Sequence, residues 1–373
     1  MEDNTIYNRV ISDLEFRRNR VLSGKVNCIP WGLSRFEENS GIPGIEQGKY
    51  YLITANAKVG KSQIADHLFI FNALEQAKKA NITLKIFYFS LEMAAEVKMA
   101  QAMSNYLYTK YNIRIAPVDL RSTRKQNVLS QEVLDILKKE EEYFKELTKA
   151  VTYIDDIRHP TGIFKFMEKY ALDNGIQHKK KVEWKNSRTG EVTSTVVDDY
   201  YEANNPDEYV IVIIDHISLI STEKEEGRDL SLHQSITKLS SRYLVSLRNK
   251  FNYIPVVIQQ QALAQESNEN LKYGKLKPTA DGLGDNKLTS RDVDVMFGLF
   301  SPYRHKMRMY PEQDGYDIGK FKDRIRFLEV IVSRSGGGGT IIPLYFDGAV
   351  NYFEELPRLS DTRLENFYKL AIS

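Results

Sequence analysis

Short, continuously apolar runs alternate with helical segments along most of the 373-residue chain. The runs that predict strands are residues 50–54, 84–90, 151–154, 209–214, 254–259, 293–300 and 327–332. Helical patterns follow the first two of these strands directly, at residues 63–79 and 94–108. A strand that is apolar along its whole length is covered on both faces, and alternation with helices is typical of parallel crossover connections. We therefore predict an α/β fold with a mostly parallel central sheet flanked by helices.

The charge balance and the cysteine content limit the classes of function. The chain carries 52 Lys and Arg against 50 Asp and Glu, a formal net charge of +2. That balance excludes a uniformly basic, histone-like nucleic-acid binder, so any nucleic-acid surface must be a local patch. The single cysteine, Cys28, excludes an internal disulfide and a cysteine-rich zinc cluster. The length allows one large α/β domain or two domains of ordinary size.

Three segments lie outside the central domain or interrupt it. Residues 1–25 predict an amphipathic linker helix with a basic face, whose apolar stripe packs on its own domain or docks on a neighbouring subunit. Residues 26–357 form the main domain, and an insertion at about 176–208 contains a predicted β-hairpin that turns at Gly190. Residues 358–373 predict a C-terminal tail helix.

Targeting and membrane signals are not visible in the sequence. The first residues have neither the basic nor the apolar region of a signal peptide. The longest clean aliphatic run, residues 210–214, is far below the roughly 18 residues that a membrane span needs. We expect a cytoplasmic protein without membrane contact.

Residues 55–62 (ANAKVGKS) connect the first predicted strand to the first helix and have the spacing of a phosphate-binding loop, with alanine at its first glycine position. At such a turn, backbone N–H groups and the helix N-terminus face an anion. Lys61 would reach the β- and γ-phosphates, and Ser62 would bind Mg²⁺. We predict a site for ATP and Mg²⁺ made by Ala57, Lys58, Val59, Gly60, Lys61 and Ser62. The alternative is an ordinary strand-to-helix turn.

Two acidic residues follow strands whose carboxyl ends should meet at the same edge of the sheet. Asp215 comes directly after the run 210–214, and Glu92 lies two residues past Ser90. We predict that Asp215 holds Mg²⁺ through its water shell and that Glu92 orients the attacking water as a general base. The alternatives are a cap or turn role for Asp215 and a first-turn helix position for Glu92.

With these residues in place, the sequence resembles the RecA-like motor domain of DnaB-family replicative helicases. The motifs that carry the resemblance are the alanine that opens the phosphate loop, SLEM at 90–93, DHISLI at 215–220, PVVIQQQ at 255–261, RSGGGGT at 334–340 and GIEQGKYYLIT at 44–54. They occur in the family's order over roughly residues 20–355. The resemblance implies a RecA-like P-loop NTPase core and an ATP-dependent, ring-forming replicative DNA helicase that translocates on single-stranded DNA and unwinds duplex.

The resemblance also implies roles for individual residues and for partners. Glu92 is the catalytic base, Asp215 is the metal aspartate, and Gln261 is the sensor between the γ-phosphate and the DNA loops. Arg334 falls on the arginine finger that the family donates to the nucleotide of the adjacent subunit. The implied partners are single-stranded DNA, further copies of the chain in a hexamer, and a primase or helicase loader.

The sequence departs from the family pattern at several positions. Ala57 stands where the family has proline, and Val332 stands where it has a second positive charge, a lysine. His216 and Ser218 replace a tyrosine and a glutamine. The change at Val332 puts the rate of hydrolysis in question more than nucleotide binding. Only the predicted linker helix precedes the motor domain, which is typical of compact phage or plasmid versions that act in the host cytoplasm.

The polar segment 264–290 lies where the family keeps a DNA-contacting loop, and we predict a long mobile loop that binds the DNA backbone. Its lysines supply charge, and two further residues let backbone amides approach phosphates; the set is Lys272, Lys275, Lys277, Gly284, Asn286 and Lys287. The alternative is that the lysines only solvate the loop. A second basic cluster, residues 178–181 (HKKK), either binds DNA or protects the edge of the hairpin.

Two functions other than a helicase remain open at this point. One is a RecA-like ATPase that forms filaments or remodels protein without unwinding. The other is a nucleotide-gated DNA-binding or loading factor whose hydrolysis is too weak to drive translocation. Val332 favours the loading factor, whereas Gln261 and the glycine-rich loop segment favour the helicase.

Overall fold

The computed structural model describes residues 5–123, 126–185, 187–311 and 314–372. Residues 1–4, 186 and 373, which belong to the predicted linker helix, hairpin insertion and tail helix, lie outside the described residues. The helices are α1 (Ile6–Leu22), α2 (Ser34–Ser40), α3 (Lys61–Asp66), α4 (Asn72–Ala80), α5 (Ala95–Tyr111), α6 (Pro117–Leu120), α7 (Gln131–Lys139), α8 (Glu141–Ala150), α9 (Pro160–Asp173), α10 (Leu232–Thr237), α11 (Val245–Phe251), α12 (Asn268–Lys272), α13 (Thr289–Asp292), α14 (Ile318–Phe321) and α15 (Leu364–Ile372).

Strands alternate with these helices. They are β1 (Ile29–Pro30), β2 (Gly44–Ile45), β3 (Tyr51–Ala55), β4 (Thr83–Ser90), β5 (Val151–Ile154), β6 (Gly175–Lys185), β7 (Val192–Ala203), β8 (Glu208–Asp215), β9 (Lys224–Glu225), β10 (Arg228–Asp229), β11 (Ile254–Gln260), β12 (Val295–Phe300), β13 (Met309–Tyr310), β14 (Tyr316–Asp317), β15 (Ile325–Ser333), β16 (Ile341–Asp347) and β17 (Tyr352–Glu355). Helix α3 continues into α4 through a π-helical turn, His67–Phe71, so residues 61–80 form one helical stretch. A second π-helical turn, Lys238–Leu244, joins α10 to α11.

The central sheet has the strand order β17-β16-β15-β12-β3-β11-β8-β4-β5. The strands from β12 to β5 are parallel to one another, whereas β15, β16 and β17 each run antiparallel to their neighbour. The seven predicted strands correspond to β3, β4, β5, β8, β11, β12 and β15. The prediction of an α/β fold with a mostly parallel sheet is confirmed. The edge strand β17 and its neighbour β16 were not predicted, and Pro343 inside β16 weakens its strand pattern.

Both faces of the sheet are covered, as the continuous apolar runs require. Alternate residues of a strand point to opposite faces. In β8, Ile211 and Ile213 belong to one apolar cluster, with α3, α5 and α8, while Val210 and Val212 belong to another, with α9, α10 and α11. Each of these buried aliphatic side chains stabilises the fold by about 1.5–3 kcal/mol relative to exposure. This two-sided burial holds the strand ends in fixed register.

Helix α1 contacts its own chain but leaves most of its apolar stripe in solvent. The Arg20 side chain is buried, forms an ion pair with Asp207 and donates to the Val26 carbonyl at 2.9 Å. The Arg9 guanidinium lies 4.7 Å from the centre of the Tyr200 ring on β7. The stripe residues Ile6, Val10 and Leu14 are nevertheless more than half exposed. Of the two alternatives for this helix, packing on its own domain therefore accounts for only part of its surface.

The two remaining predicted segments also take the expected secondary structure. Strands β6 and β7 pair antiparallel as a long hairpin, with Gly190 at φ 72° in the turn region. In α15, Leu364 and Ala371 pack in a third apolar cluster together with Phe321 and Tyr345. The tail helix is thus part of the packing of the main body. No helix in the described ranges is long and apolar enough to cross a bilayer.

Candidate functional site

The carboxyl ends of four parallel strands bring the predicted site residues to one edge of the sheet. Asp215, the last residue of β8, lies opposite Ser90 at the end of β4 and opposite Ile258 of β11. Gln260, at the end of β11, lies opposite Ala55 at the end of β3. Open parallel sheets bind ligands at this edge. The loop after β3, Glu92, Asp215 and Gln261 therefore share one location.

The loop of residues 56–60 leads directly from β3 into α3. Lys58 and Gly60 adopt the left-handed region, at φ 60° and φ 109°. Gly60 also leaves little room, because a Cβ atom there would lie 3.3 Å from the Phe346 ring. The first N–H groups of a helix have no partner within the helix and point at a ligand. The loop therefore has the backbone geometry of an anion site, and Lys61 and Ser62 are the first two residues of α3.

Two arginines that the sequence analysis did not single out contact the backbone of this loop. The Arg326 side chain is buried and its Nε donates to the Val59 carbonyl at 2.8 Å, while its guanidinium lies 4.3 Å from the Phe346 ring centre. Burial lowers the pKa of Arg326 from its ordinary value. Arg304 donates to the Ala57 carbonyl and forms an ion pair with Glu266 at 2.9 Å. A basic residue inside an apolar strand, as at position 326, is a sequence signal that could have found the first of them.

Lys61, Ser62 and Asp215 meet at the start of α3. The Ser62 hydroxyl donates to Asp215 Oδ1 at 2.9 Å, and Asp215 is almost completely buried. Burial lowers the pKa of Lys61, and the neighbouring carboxylates of Asp215 and Glu92 oppose that shift. The ammonium, the hydroxyl and two carboxylates are thus close enough to interact electrostatically. This arrangement can bind a phosphate group together with a divalent cation.

Glu92 lies in the loop between β4 and α5, and its side chain is exposed. The alternative of a first-turn helix position does not describe it, because α5 begins at Ala95 and its first-turn acidic residue is Glu96. Burial lowers the pKa of His216, and the neighbouring carboxylates of Asp215 and Glu92 oppose that shift. The imidazole Nδ1 of His216 is buried and has no hydrogen-bond partner in the described part of the chain.

A buried polar network lies behind Asp215, and the sequence analysis did not predict it. The Tyr88 hydroxyl donates to Asp215 Oδ2 at 2.6 Å. Lys98 Nζ lies 2.8 Å from the Tyr88 oxygen and 2.8 Å from both carboxylate oxygens of Asp66. The Asn351 side-chain amide donates to Asp66 Oδ2 at 3.1 Å. We call Tyr88, Lys98, Asp66 and Asn351 the Lys98 network; burial and the nearby carboxylates raise the pKa of Tyr88 well above its ordinary value.

Gln261 connects the strand before the loop to the segment where DNA contact was predicted. Its side chain is buried, and Nε2 donates at 2.9 Å both to Thr54 Oγ1 and to the Thr279 carbonyl. Its Oε1 accepts from the Thr279 N–H at 3.2 Å. Thr54 is the penultimate residue of β3, next to the phosphate-binding loop. A single side chain therefore connects the end of β3 to Thr279.

Arg334 lies at the edge of the sheet where the parallel strands begin, whereas the loop of its own chain lies at the opposite edge, where they end. Ser333, at the end of antiparallel β15, pairs with Val295, which in turn pairs with Tyr51 at the start of β3. The Arg334 side chain is 50% exposed; it donates to the Arg291 carbonyl at 2.7 Å and lies 3.5 Å from Asp294 Oδ1. Strand β3 alone separates the two places by about 15 Å, at roughly 3.3 Å per residue. Arg334 therefore cannot contact a nucleotide bound by its own chain.

Segment 264–290 is less uniform than the long mobile loop that was predicted. Lys272, Lys275 and Lys287 are exposed. Lys277, by contrast, forms an ion pair with Glu329 at 3.2 Å. The first half of the segment contains α12 and most of a 3₁₀ turn, Leu263–Glu266. In its second half Leu283 is buried.

The structure corrects the prediction for Gly284 and Asn286. Their backbone amides are not open to phosphates, because the Gly284 N–H donates to the Gln260 carbonyl at 2.9 Å and the Asn286 N–H donates to the Gly284 carbonyl at 2.6 Å. The Asn286 side chain is buried and donates to Thr237 Oγ1 at 2.7 Å. Backbone hydrogen bonding of this kind leaves no mark in the sequence. Gly284 and Asn286 therefore hold the conformation of this part of the segment, and their amides are not available to a phosphate.

The donor set at this edge fits Mg²⁺ held together with a nucleotide. Within the described ranges, no group of three or more His, Cys, Asp and Glu side chains could hold a metal ion. Mg²⁺ usually keeps several waters and binds through one or two carboxylates together with substrate phosphates. One buried carboxylate, Asp215, beside the Ser62 hydroxyl and an anion-binding helix start matches this requirement.

Comparison with solved structures identifies the fold. One of them, described as an ATPase domain, aligns with a TM-score of 0.63 at 14% identity, over 95% of this chain and 100% of that chain. A DnaB-like replicative helicase, described with its interactions with primase, aligns with a TM-score of 0.60 at 16% identity, over 95% of this chain and 68% of that chain. Comparisons with protein-family models and with curated proteins find no match. The chain has the RecA-like fold of the ATPase domains of DnaB-like replicative helicases.

Proposed function

We propose that the chain is an ATP-dependent DNA helicase motor that works as a ring of identical subunits, a hexamer, on single-stranded DNA. The observation that carries the proposal is the division of one site between two edges of the sheet. Lys61, Ser62 and Asp215 lie at one edge, and Arg334 lies at the other. Only a second copy of the chain can bring an Arg334 to this nucleotide site. The fold shared with DnaB-like helicase domains supports the same conclusion.

Within one subunit, each residue at the loop edge has a distinct task. The backbone of residues 57–62 and the Lys61 ammonium bind the phosphates of ATP. Ser62 and Asp215 hold Mg²⁺, which when bound offsets negative charge on the phosphate oxygens. Glu92 orients the attacking water and accepts its proton. Gln261 passes the state of the nucleotide from Thr54 to the segment that follows Thr279.

The exposed lysines of segment 264–290 are our candidates for contact with the DNA backbone. Lys272, Lys275 and Lys287 are exposed, whereas Lys277 is already paired with Glu329. Lysine contacts to phosphate are independent of sequence and depend on salt, as a translocating motor requires.

The exposed stripe of α1 is our candidate for contact between subunits. Ile6, Val10 and Leu14 remain more than half exposed in the single chain, and apolar side chains in such a row favour burial against a partner. This assignment divides the chain into a linker helix (1–25), a motor domain (26–357) and a tail helix (358–373). A primase or a helicase loader is the class of further protein partner that we expect for such a motor.

A nucleotide-gated DNA-binding or loading factor without unwinding activity is the second candidate function, and a RecA-like ATPase without unwinding is its close relative. The observation that favours both is Val332, which packs against the apolar cluster of one sheet face where the resembling family has a second cation. One positive charge across the interface instead of two would slow hydrolysis.

A forked-duplex assay separates these candidates. The helicase proposal expects strand release that requires ATP and Mg²⁺ and that disappears in Lys61→Ala. ATP hydrolysis that single-stranded DNA stimulates, without strand release, would instead favour the loading factor or the non-unwinding ATPase. The mass of the particle with a non-hydrolysable ATP analogue and single-stranded DNA tests the ring, for which six copies are expected.

A further inference from the structure

The Lys98 network fixes the direction of the hydrogen bond between Tyr88 and the Asp215 carboxylate. An ammonium has three N–H donors and no acceptor. Two of these donors go to the carboxylate oxygens of Asp66 and the third goes to the Tyr88 oxygen, each at 2.8 Å. The Tyr88 oxygen is therefore an acceptor from Lys98, and its own single proton goes to Asp215 Oδ2 at 2.6 Å.

These contacts hold the Asp215 carboxylate in one orientation. Tyr88 occupies Oδ2, so that Oδ1 is the oxygen that faces Ser62, at 2.9 Å. Lys98 itself stays 4.0 Å from Asp215 and does not compete for Oδ1. The network thus determines which carboxylate oxygen of Asp215 remains available to a cation.

The charge of the network favours a cation at the same place. Asp66 and Asp215 contribute two negative charges, Lys98 contributes one positive charge, and all three side chains are at most 3% exposed. A buried charge that is not compensated is costly. One net negative charge therefore remains within the network itself, and Asp215 Oδ1 presents it toward Ser62 and the neighbouring Lys61 ammonium.

The network also joins the two halves of the site along the chain. Lys98 lies in the first turns of α5, the helix that follows Glu92, and Asp66 is the last residue of α3, the helix that begins with Lys61. Tyr88 lies in β4, between the two. None of these three residues belongs to the motifs that carry the resemblance to a helicase family.

We propose that Lys98 is a positioning residue that acts through Tyr88: it orients the Asp215 carboxylate and thereby sets the affinity of the nucleotide site for Mg²⁺. This inference rests on the proposed function, because it assumes that the site binds Mg²⁺ with a nucleotide. Groups that orient a ligand in this way typically change metal affinity by about 10- to 100-fold when they are removed.

The first test uses Tyr88→Phe in the full chain and a fluorescent, non-hydrolysable ATP analogue. Binding is titrated with Mg²⁺ and repeated in EDTA. We expect the Mg²⁺ concentration for half-maximal enhancement of binding to rise by about 10-fold or more, with unchanged affinity in EDTA. Tyr153→Phe is the matched control, because Tyr153 lies against the Tyr88 ring from β5 but is not among the partners of Asp215. It should leave the Mg²⁺ dependence unchanged.

The second test addresses Lys98 itself. Lys98→Met alone would leave Asp66 buried without a cation and would endanger folding. The double variant Asp66→Asn with Lys98→Met removes both charges at once, so it separates folding from positioning. We expect it to fold, as judged by circular dichroism, and to shift the Mg²⁺ midpoint in the same direction as Tyr88→Phe.

Three results would overturn the inference in different ways. A lower thermal midpoint with an unchanged Mg²⁺ midpoint, in Tyr88→Phe and in the double variant, would leave the network a structural role only, while the proposed function would stand. A wild-type chain that does not bind the analogue at any Mg²⁺ concentration would refute the nucleotide site and, with it, this inference. A shift in Tyr88→Phe alone would keep Tyr88 and remove Lys98 from the mechanism.

Discussion

Replacing Arg334 with alanine tests whether the nucleotide site is completed by a second subunit. If Arg334 acted only within its own chain, its charge would lie about 15 Å or more from the γ-phosphate, given the length of β3. At that distance two unit charges interact by about 0.3 kcal/mol in water and about 1 kcal/mol at an effective dielectric constant of 20. Loss of the arginine would then reduce turnover by no more than about 6-fold.

An arginine that reaches the transferred phosphate from a neighbour has a much larger effect. Such residues accelerate hydrolysis by about 10³–10⁵-fold, and without the lysine that Val332 replaces we expect the low end, about 10³-fold or 4 kcal/mol. Folding should be preserved, because Arg334 is half exposed and a surface ion pair such as the one with Asp294 contributes about 0–1 kcal/mol. Nucleotide binding and assembly should also persist.

The assay is ATP hydrolysis stimulated by single-stranded DNA, for Arg334→Ala alone and mixed with Lys61→Ala. Mixing should restore part of the activity, because an intact loop can then meet an intact arginine at mixed interfaces. Arg291→Ala, an exposed arginine at the same edge, is the control and should keep wild-type turnover. Activity in the mixture that equals the sum of the two variants, with mixed rings confirmed by native mass spectrometry, would refute an arginine acting between subunits.

Three further predictions concern the nucleotide site and the lysines of segment 264–290. Lys61→Ala should abolish turnover and weaken nucleotide binding in a filter or fluorescence assay, since it removes the cation at the β- and γ-phosphates; wild-type affinity would contradict the assignment. Glu92→Gln should keep nucleotide binding and lose about 10²–10⁴-fold in hydrolysis, as expected for a general base; unchanged turnover would remove Glu92 from the chemistry. Lys287→Ala should lower the slope of log affinity against log salt for single-stranded DNA by about 0.7, whereas Lys277→Ala, which is paired with Glu329, should change it less; equal slopes for wild type and Lys287→Ala would make Lys287 a solvating residue.

Much of the fold could be predicted because its determinants are local. A run such as 210–214 is apolar at every position, which only a strand buried on both faces requires, and β8 has that place in the structure. Strand β16 was not predicted because Pro343 interrupts its pattern, and the edge strand β17 was not predicted because it is short and carries polar residues. An uninterrupted run therefore identified even β5, at the other edge of the sheet, whereas an interrupted or short polar run was missed.

Part of the candidate site could likewise be predicted from local sequence, and part could not. Lys61 and Asp215 were found because each is adjacent in sequence to a strand end, and parallel strands place such positions together. The Lys98 network could not be predicted because its members are far apart in the chain. Asn351, for example, lies 285 positions from Asp66, whose carboxylate it contacts. A lysine in an amphipathic helix looks solvated in a sequence whether it is exposed or buried. Tertiary packing alone distinguishes the two cases.

The antiparallel direction of β15 has a consequence for the symmetry of any assembly. It carries Arg334 away from the edge where the parallel strands end, so in the proposed motor the surface that donates Arg334 and the surface that binds the nucleotide are different surfaces of one subunit. A dimer with two-fold symmetry uses the same surface of both partners, so a dimer joined through only one of these edges completes neither of its two sites. Head-to-tail association repeats one interface, and only closure of the circle completes every site. Under the proposed function, an open chain of such subunits always has one nucleotide site that receives no Arg334, so the number of complete sites equals the number of interfaces and not the number of polypeptides.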